Sequence, residues 1–512
     1  MTRRLLVIVI VMLSCVSGHT QHWLGLSSSN YAGTNALFLN PAHAADSRNK
    51  LYINLIGNDF YLINNYLRYD APYSFLRLIT NSVPQKYRSE RGLIVWRENY
   101  YAERLNGKQK HFHTGGDVRG PSLLYSFKNN RFAIALTSRG RYSLSMTDVS
   151  EETARVIRYG TNLVDLQRKN FTDQTAKLST NGFVEMGATF GAVLADYEED
   201  FFKIGITVKR LVGVYNVHAD MKAADYRIEV ESLNPEKEFI AATRLQATYG
   251  YTTDEAFSNL SLNPKFLFGK NSAGGGWGFD LGAVYEYRPD VQKLKIGGPK
   301  GGRHHDPNKN KYKYRISAAL TDIGAIRYKN LNYVREIDID QTAQFSYNNF
   351  NSLPGTGAAI NAVNKSLFVQ PADNPRGWTT GLPTSFNASF DYHHKNNWYI
   401  NALWVQGLRG QNYLNVKPQS VLAVTPRYET KWFEFATPLA MADNYRVFTV
   451  GVAMRAGPII VGTDNLGGLI DIGKPQGLDL YFALYAPFFH RKPDDPNKCW
   501  YQPYERSSRR KR

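Results

Sequence analysis

Residues 276–290 read GWGFDLGAVYEYRPD. Every second residue from Trp277 is apolar or aromatic: Trp277, Phe279, Leu281, Ala283, Tyr285, Tyr287. The alternate set is Gly278, Asp280, Gly282, Val284, Glu286 and Arg288, and it carries all the charges. Successive side chains of a strand point to opposite faces, so this ribbon separates an apolar medium from a polar one. The same alternation recurs in YKYRISAALT (312–321), FNASFDYH (386–393), FVEMGATFGAVL (183–194), FFKIGITVKR (201–210), RVFTVGVAMR (446–455) and RFAIALTSR (131–139). In the first of these, Tyr312, Tyr314 and Ile316 are expected on the apolar face, against Lys313 and Arg315. These runs approach the nine to eleven residues of a tilted membrane strand, whereas soluble strands average about five or six. Aromatic residues near run ends, such as Trp277, Tyr287, Trp398 and Trp404, suit the headgroup level. A soluble β-sandwich or propeller would also alternate. Run length and the other features below favour an all-β, closed antiparallel transmembrane barrel of about 14 strands, within 14 to 16.

The composition agrees with that reading. The 512 residues are 13% aromatic, with 41 Gly, a mixture typical of strands joined by turns. The net charge of +18 is dispersed except at the terminal SSRRKR, and no nucleic-acid-binding motif is present, so no nucleic acid is expected as a partner. The start, MTRRLLVIVIVMLSCVSG, has the cationic, apolar and small-residue layout of an export signal over residues 1–18. Cleavage before Cys15 with lipid attachment is the alternative, and MLSC fits it poorly. With the leader gone, Cys499 stands alone and cannot form an internal disulfide. No other run reaches 18 apolar residues, which argues against a helical membrane protein. An exported chain of this kind is expected in the bacterial outer membrane, against lipid and lipopolysaccharide.

Short links, KNN (128–130), DYEED (196–200), HHKNN (393–397) and RAGP (455–458), are expected on one side. Long polar links, 140–180, 288–311 and 323–385, are expected on the other. Short helices are expected in loops, at 74–81 and at 150–166, the latter capped by Ser150. Before the first strand, Asn40-Pro41 disfavours helix at Asn40 and can open one at Pro41, and AHAAD reads as a single turn. Residues 19–50 are therefore expected as a plug or hatch, 51–489 as the barrel, and 490–512 as a basic, disordered tail.

Asn40, Pro41 and Ala42, after a small-residue stretch and before the first strand, resemble the start of the hatch in the outer-membrane fatty-acid transporter (FadL-like) superfamily. GWGFDLGAVYEYRP (276–289), ALTDIGAIRY (319–328), LPTSFNASFDY (382–392) and GPIIVGTDNL (457–466) resemble strand motifs of a functionally uncharacterised barrel family within that group. The resemblance implies a barrel of about 14 strands with an N-terminal plug, and it supplies no ligand-binding residue. Many such barrels end on an aromatic residue, whereas Phe488 and Phe489 precede a further 23 residues here.

No G-x-S-x-G, P-loop or H-E-x-x-H motif is present, so no catalytic activity and no cofactor is expected. His111 with His113, His304 with His305, and His393 with His394 are paired, but no converging ligand set is legible, so no metal is assigned. The glycine-rich GGPKGGRHH lacks the strand–loop–helix setting of a phosphate site. Lys203, Lys209, Asp280, Glu286, Arg288, Lys313, Arg315 and Asp391 are the residues expected to line the lumen, as a polar path or as structural ion pairs. Two functions fit this reading. One is a passive channel for hydrophobic or amphipathic small molecules. The other is an accessory barrel in secretion or surface assembly that binds a protein partner through its tail or long loops.

Overall fold

The computed structural model describes residues 23–490 apart from 198, 232–233, 259–271, 298–302, 351–352, 354, 371–374, 409–418 and 474. The leader, Cys15, Cys499, the basic tail beyond 490 and part of GGPKGGRHH lie outside the described residues. Sixteen long strands follow one another: β1 (Asn49–Asn64), β2 (Lys110–Arg119, continued by Ser122–Phe127), β3 (Phe132–Val149), β4 (Asn170–Tyr197), β5 (Asp200–Glu231), β6 (Asn234–Thr252), β7 (Gly274–Tyr287), β8 (Tyr314–Tyr328), β9 (Val334–Phe345), β10 (Trp378–Gly381, continued by Ser385–Lys395), β11 (Trp398–Gly407), β12 (Val421–Glu429), β13 (Phe433–Ala436 and Leu439–Ala442), β14 (Val447–Val450 and Val452–Ala456), β15 (Ile459–Thr463) and β16 (Gly477–Phe489). Fourteen of them, all but β6 and β9, form a closed antiparallel wall. Closure is made by β1 on β16, from Asn49↔Phe489 to Ile63↔Gly477. A closed ladder leaves no strand edge unpaired, the condition for a β-structure to sit in hydrocarbon.

The opening ribbon is β7. Trp277 is 56% exposed and Asp280 is 1% exposed, so the apolar row faces out and the charged row faces in. The outer belt continues around the wall through Ile134, Phe190, Ile206, Ile316, Phe390, Ile400, Leu422, Phe435, Val461 and Phe482, all exposed. Tyr287 stacks on Tyr314 and Tyr314 on Phe390, with centroids 5.1 and 6.0 Å apart, which builds part of an aromatic girdle on the outer face. No helix among the described residues is long and apolar enough to cross a membrane. A closed 14-stranded wall with an apolar outer face and a charged inner one is an outer-membrane barrel.

The links after β2, β4, β10, β12 and β14 are two to four residues long and gather at the end that holds both barrel termini. The link 288–313 belongs to this same end, because it joins the end of β7 to the start of β8. Its expected place on the opposite side is thus corrected: link length alone does not fix the side. At the other end, β4 and β5 outrun the wall. β5 pairs with β7 as far as Gly213 and with β6 from Val217 onward. β6 then pairs with β9, so β4, β5, β6 and β9 rise as a fin. The helix Glu151–Tyr159, whose Thr153 N–H donates to Ser150 Oγ at 3.1 Å, precedes β4 at this end. Its Val156 packs with Phe171, Tyr226, Ile228 and Ile240 of the fin. The shorter expected helix is Phe75–Ile79.

Replacing Leu281 with Arg is expected to lower barrel stability by about 2–4 kcal/mol, the cost of a cation on the lipid face near the midplane. Urea unfolding in lipid vesicles checks this, and an unchanged stability would place that row outside hydrocarbon.

Candidate functional site

Residues 23–48 lie inside the wall. Their two short helical turns, Gly33–Phe38 and Pro41–Ala44, are buried except at Phe38 and His43, which are half-buried. Asn40 caps the second turn, its Oδ1 accepting from Ala42 N–H at 2.9 Å. Its Nδ2 donates to Ala283 O and Ala318 O, each at 3.1 Å, so the cap is also tied to β7 and β8. The turn rests on a row of small residues that are direct cross-strand partners: Ser126, Ala133, Gly191, Gly205, Gly282, Ala319 and Asn387. A Cβ at Gly205 would overlap the backbone of Pro41 and Ala42, one at Gly282 the Asn40 side chain, and one at Gly191 would crowd Ala44 and Ala45. Glycine is needed in this row because backbone meets backbone. Asn387 completes the row by donating from Nδ2 to Leu39 O at 2.9 Å.

Charges secure the rest. Near the barrel termini, Asp46 binds Lys311 and Arg288, both at 2.6 Å. Arg288 Nε reaches Glu286 at 2.9 Å, and Lys203 Nζ donates to Ala45 O at 2.8 Å. Arg315 donates to Ser28 O at 2.7 Å, to Asn30 Oδ1 at 3.1 Å and to Asp391 at 3.1 Å. Arg427 binds Asp391 at 2.7 Å and Glu429 at 3.0 Å, and Glu429 accepts from Asn30 Nδ2 at 2.8 Å. Ser29 Oγ donates to Glu434 at 2.7 Å, and Glu434 also binds Arg455 at 3.0 Å. Farther from the termini, Lys209 bridges Asp280 at 2.8 Å and Asp322 at 2.6 Å. Arg141 joins Asp322 at 2.8 Å, and Arg139 joins Glu185 at 2.6 Å and Asp117 at 3.1 Å. Arg119 lies 3.7 Å over the Trp23 ring and donates to Asn35 Oδ1 at 2.9 Å. Buried pairs of this kind tolerate the loss of neither partner, because an uncompensated charge would remain inside.

Of the expected lumen residues, Lys203, Lys209, Asp280, Glu286, Arg288, Arg315 and Asp391 are buried inside the wall. Lys313 is not among them. Its Nζ donates to His394 O at 3.0 Å and stands 4.6 Å over the Tyr392 ring at the rim. Tyr312, expected on the apolar face, is buried instead and donates to Asp391 at 2.6 Å. The strand begins only at Tyr314, so alternation does not govern the two residues before it. The sequence reading missed Asp117, Arg119, Arg139, Arg141, Glu185, Asp322, Arg427, Glu429, Glu434 and Arg455 as site residues. The signal was present, since GGDVRG, SRGR and RYETKWFEF place charges at alternate, inward positions. A cavity of about 30 Å³ beside His43, Arg48, Lys203 and Tyr312 is large enough for a water or two. A second, of about 340 Å³, lies at the outward end between Asn65, Arg68, Glu103 and Gln476.

The family described as "Family of unknown function (DUF5723)" matches residues 41–464. The chain belongs to the DUF5723 family. No curated protein matches it. This DUF5723 barrel is similar in architecture to solved FadL-type channels. A deletion mutant of the monoaromatic hydrocarbon channel TodX is 9% identical, covers 93% of this chain and 98% of its own, and has a TM-score of 0.40. The toluene transporter TbuX of Ralstonia pickettii is 10% identical, with coverages of 93% and 99% and a TM-score of 0.38. A Pseudomonas aeruginosa FadL homologue is 8% identical, with coverages of 92% and 98% and a TM-score of 0.31. At these scores none of the likenesses carries the functional argument, which rests on the geometry of the DUF5723 chain itself.

Gly205→Val is expected to unseat residues 23–48 at a cost of about 1–3 kcal/mol, the usual penalty of overpacking. Hydrogen-exchange protection in that segment should fall roughly ten- to hundredfold while β4, β5 and β7 keep theirs. His43 makes one acid-sensitive contribution to the seat. Burial, with Arg315, Lys203 and Arg427 close by, holds His43 well below its ordinary value of 6.5. The released segment therefore takes up a proton that the seated one refuses. The His43 share of seating is expected to be constant above about pH 6.5 and to be lost as pH falls below it. Exchange protection measured against pH checks this, with a flatter response in His43→Gln.

Proposed function

We propose that this barrel is a gated conduit for hydrophobic or amphipathic small molecules, with residues 23–48 as its plug. One observation carries the reading. The inner wall of a barrel is ordinarily polar, yet Leu403, Val405, Val421, Ala423 and Ala440 on β11 to β13 form an apolar strip facing inward. Leu24 and Leu39 of the N-terminal segment cover that strip. With the plug seated, the strip is dry and closed. With it displaced, the lumen would offer an apolar track beside a charged wall, a surface suited to solutes with little or no charge. The wall is also interrupted beside the plug. β2 breaks at Gly120–Pro121, where Asn54 Nδ2 bonds Gly120 O at 3.0 Å and Ser138 Oγ bonds Pro121 O at 3.0 Å in place of ladder bonds. β13 breaks at Thr437–Pro438, close to Gly25. Such breaks are the weakest points of a closed ladder, where the wall would yield first.

The fin supports a second reading, a surface-assembly accessory. β5 is 32 residues long, about three times the length a membrane crossing needs, and its excess is carried outside the wall. Uptake separates the two. Cells lacking the protein should take up apolar solutes more slowly than cells carrying it, and the double variant Leu403→Gln, Val421→Asn should behave as the deletion. Uptake that is equal in all three, over a panel of apolar and amphipathic solutes, would overturn the conduit and leave the accessory role.

A further inference from the structure

His111 and His113 stand two residues apart at the start of β2, and their ring centroids are 5.4 Å apart. Asp443 begins the link between β13 and β14, at the same outward end of the barrel. The ligand atoms of these three side chains all lie within 4.8 Å of one another. His111 Nε2 is 2.9 Å from Asp443 Oδ2. The other carboxylate oxygen, Oδ1, is buried and has no hydrogen-bond partner among the described residues. The Asp443 side chain is only 2% exposed, so water does not serve that oxygen freely. A buried carboxylate oxygen without a donor is costly, and a cation held between it and the two rings would remove the cost.

We propose that His111, His113 and Asp443 form a binding site for a divalent transition-metal ion of the zinc class at the outward end of the lumen. Two imidazoles and one carboxylate select that class, since calcium and magnesium favour sites made wholly of oxygen. Three protein ligands leave one position of a tetrahedral ion open. Support from behind the ligands is in place. Ser145 Oγ, from the partner position on β3, lies 2.9 Å from His113 Nδ1 and orients that ring, as outer partners of ligating histidines do. Asn65 accepts the backbone N–H of His111 at 2.7 Å. Asn444 fixes the turn through Ser420, donating its N–H to Ser420 O and accepting the Ser420 N–H at Oδ1, both at 3.1 Å. To hold one ion, the three ligand atoms must draw in to about 2 Å from it.

The ion would tie the end of the long 65–109 link to the β13–β14 turn. Three strands, β14, β15 and β16, together with β1, lie between β13 and β2 in the wall, so the tie spans part of the mouth. This site is independent of the transport reading, because the plug does not use these residues and the ladder uses only the backbone of His111 and His113.

The test uses the folded barrel in detergent, purified without a polyhistidine tag and stripped with a chelator. Titration with Zn²⁺ by calorimetry should show one saturable site, and Co²⁺ should give the intense visible absorption of a four-coordinate ion, displaced by Zn²⁺. His113→Ala and Asp443→Asn should each weaken binding by about a hundredfold or more, and Ser145→Ala by about tenfold. Asp443→Asn keeps a hydrogen-bonding side chain in the turn, and the heat-sensitive gel mobility of the barrel reports its folding. His393→Ala with His394→Ala, at the opposite end of the barrel in the last residues of β10, should leave binding unchanged. Absence of saturable binding in the unaltered protein, or binding that survives both His113→Ala and Asp443→Asn, would overturn the site.

Discussion

In hydrocarbon no water is present to satisfy a peptide group, so every N–H and C=O of a crossing strand must find a partner in the protein. The pairing of β1 with β16 meets that demand, because it turns an open sheet into a ladder without edges. Much else follows from it. A closed ladder has two faces with different neighbours, and the strand period of two sorts side chains between them. The aromatic and aliphatic row of β7 goes to lipid, and Asp280 and Glu286 go inside. Once inside, those charges are far from bulk water and must pair with one another or with a second body.

The N-terminal segment is that second body. It supplies backbone carbonyls to Lys203 and Arg315 and a carboxylate to Lys311 and Arg288. The wall in turn supplies Glu429, Glu434 and Asp464 to the segment, the last accepting from Leu24 N–H at 3.0 Å. Neither side is electrostatically complete alone. This mutual dependence favours a seated state, while the small-residue row under Pro41 lets that state form without strain. Seating rests on contacts with a single short segment and not on the barrel ladder.

What could be read from the chain alone follows the range of each physical signal. Alternation is local, so the faces of β7, β8 and β10 were legible, as was the strand count of 14 to 16: among the described residues sixteen strands follow one another, and fourteen make the wall. Asn40-Pro41 was legible as a turn opener because proline's restriction is local too. Its seat was not. Gly191, Gly205 and Gly282 become one shelf only through the register of three strands spread over ninety residues. The same limit hid most of the charge network, since Arg141 finds Asp322 only across the folded wall. Tyr312 and Lys313 show where a local rule stops: two residues before the strand starts, alternation no longer decides which side chain goes in. The place of the 288–313 link depended on strand direction, which link length does not encode. His111 and His113 showed their spacing in the sequence, and only the fold brought Asp443 to them.

The central claim is that a closed barrel is shut by its own first residues. Electrical recording from the protein in a planar bilayer tests it most directly. The intact chain should be silent at modest voltage, and a chain lacking residues 23–48 but retaining every wall strand should carry a steady ion current. An intact chain that conducts as well as the shortened one would contradict the account.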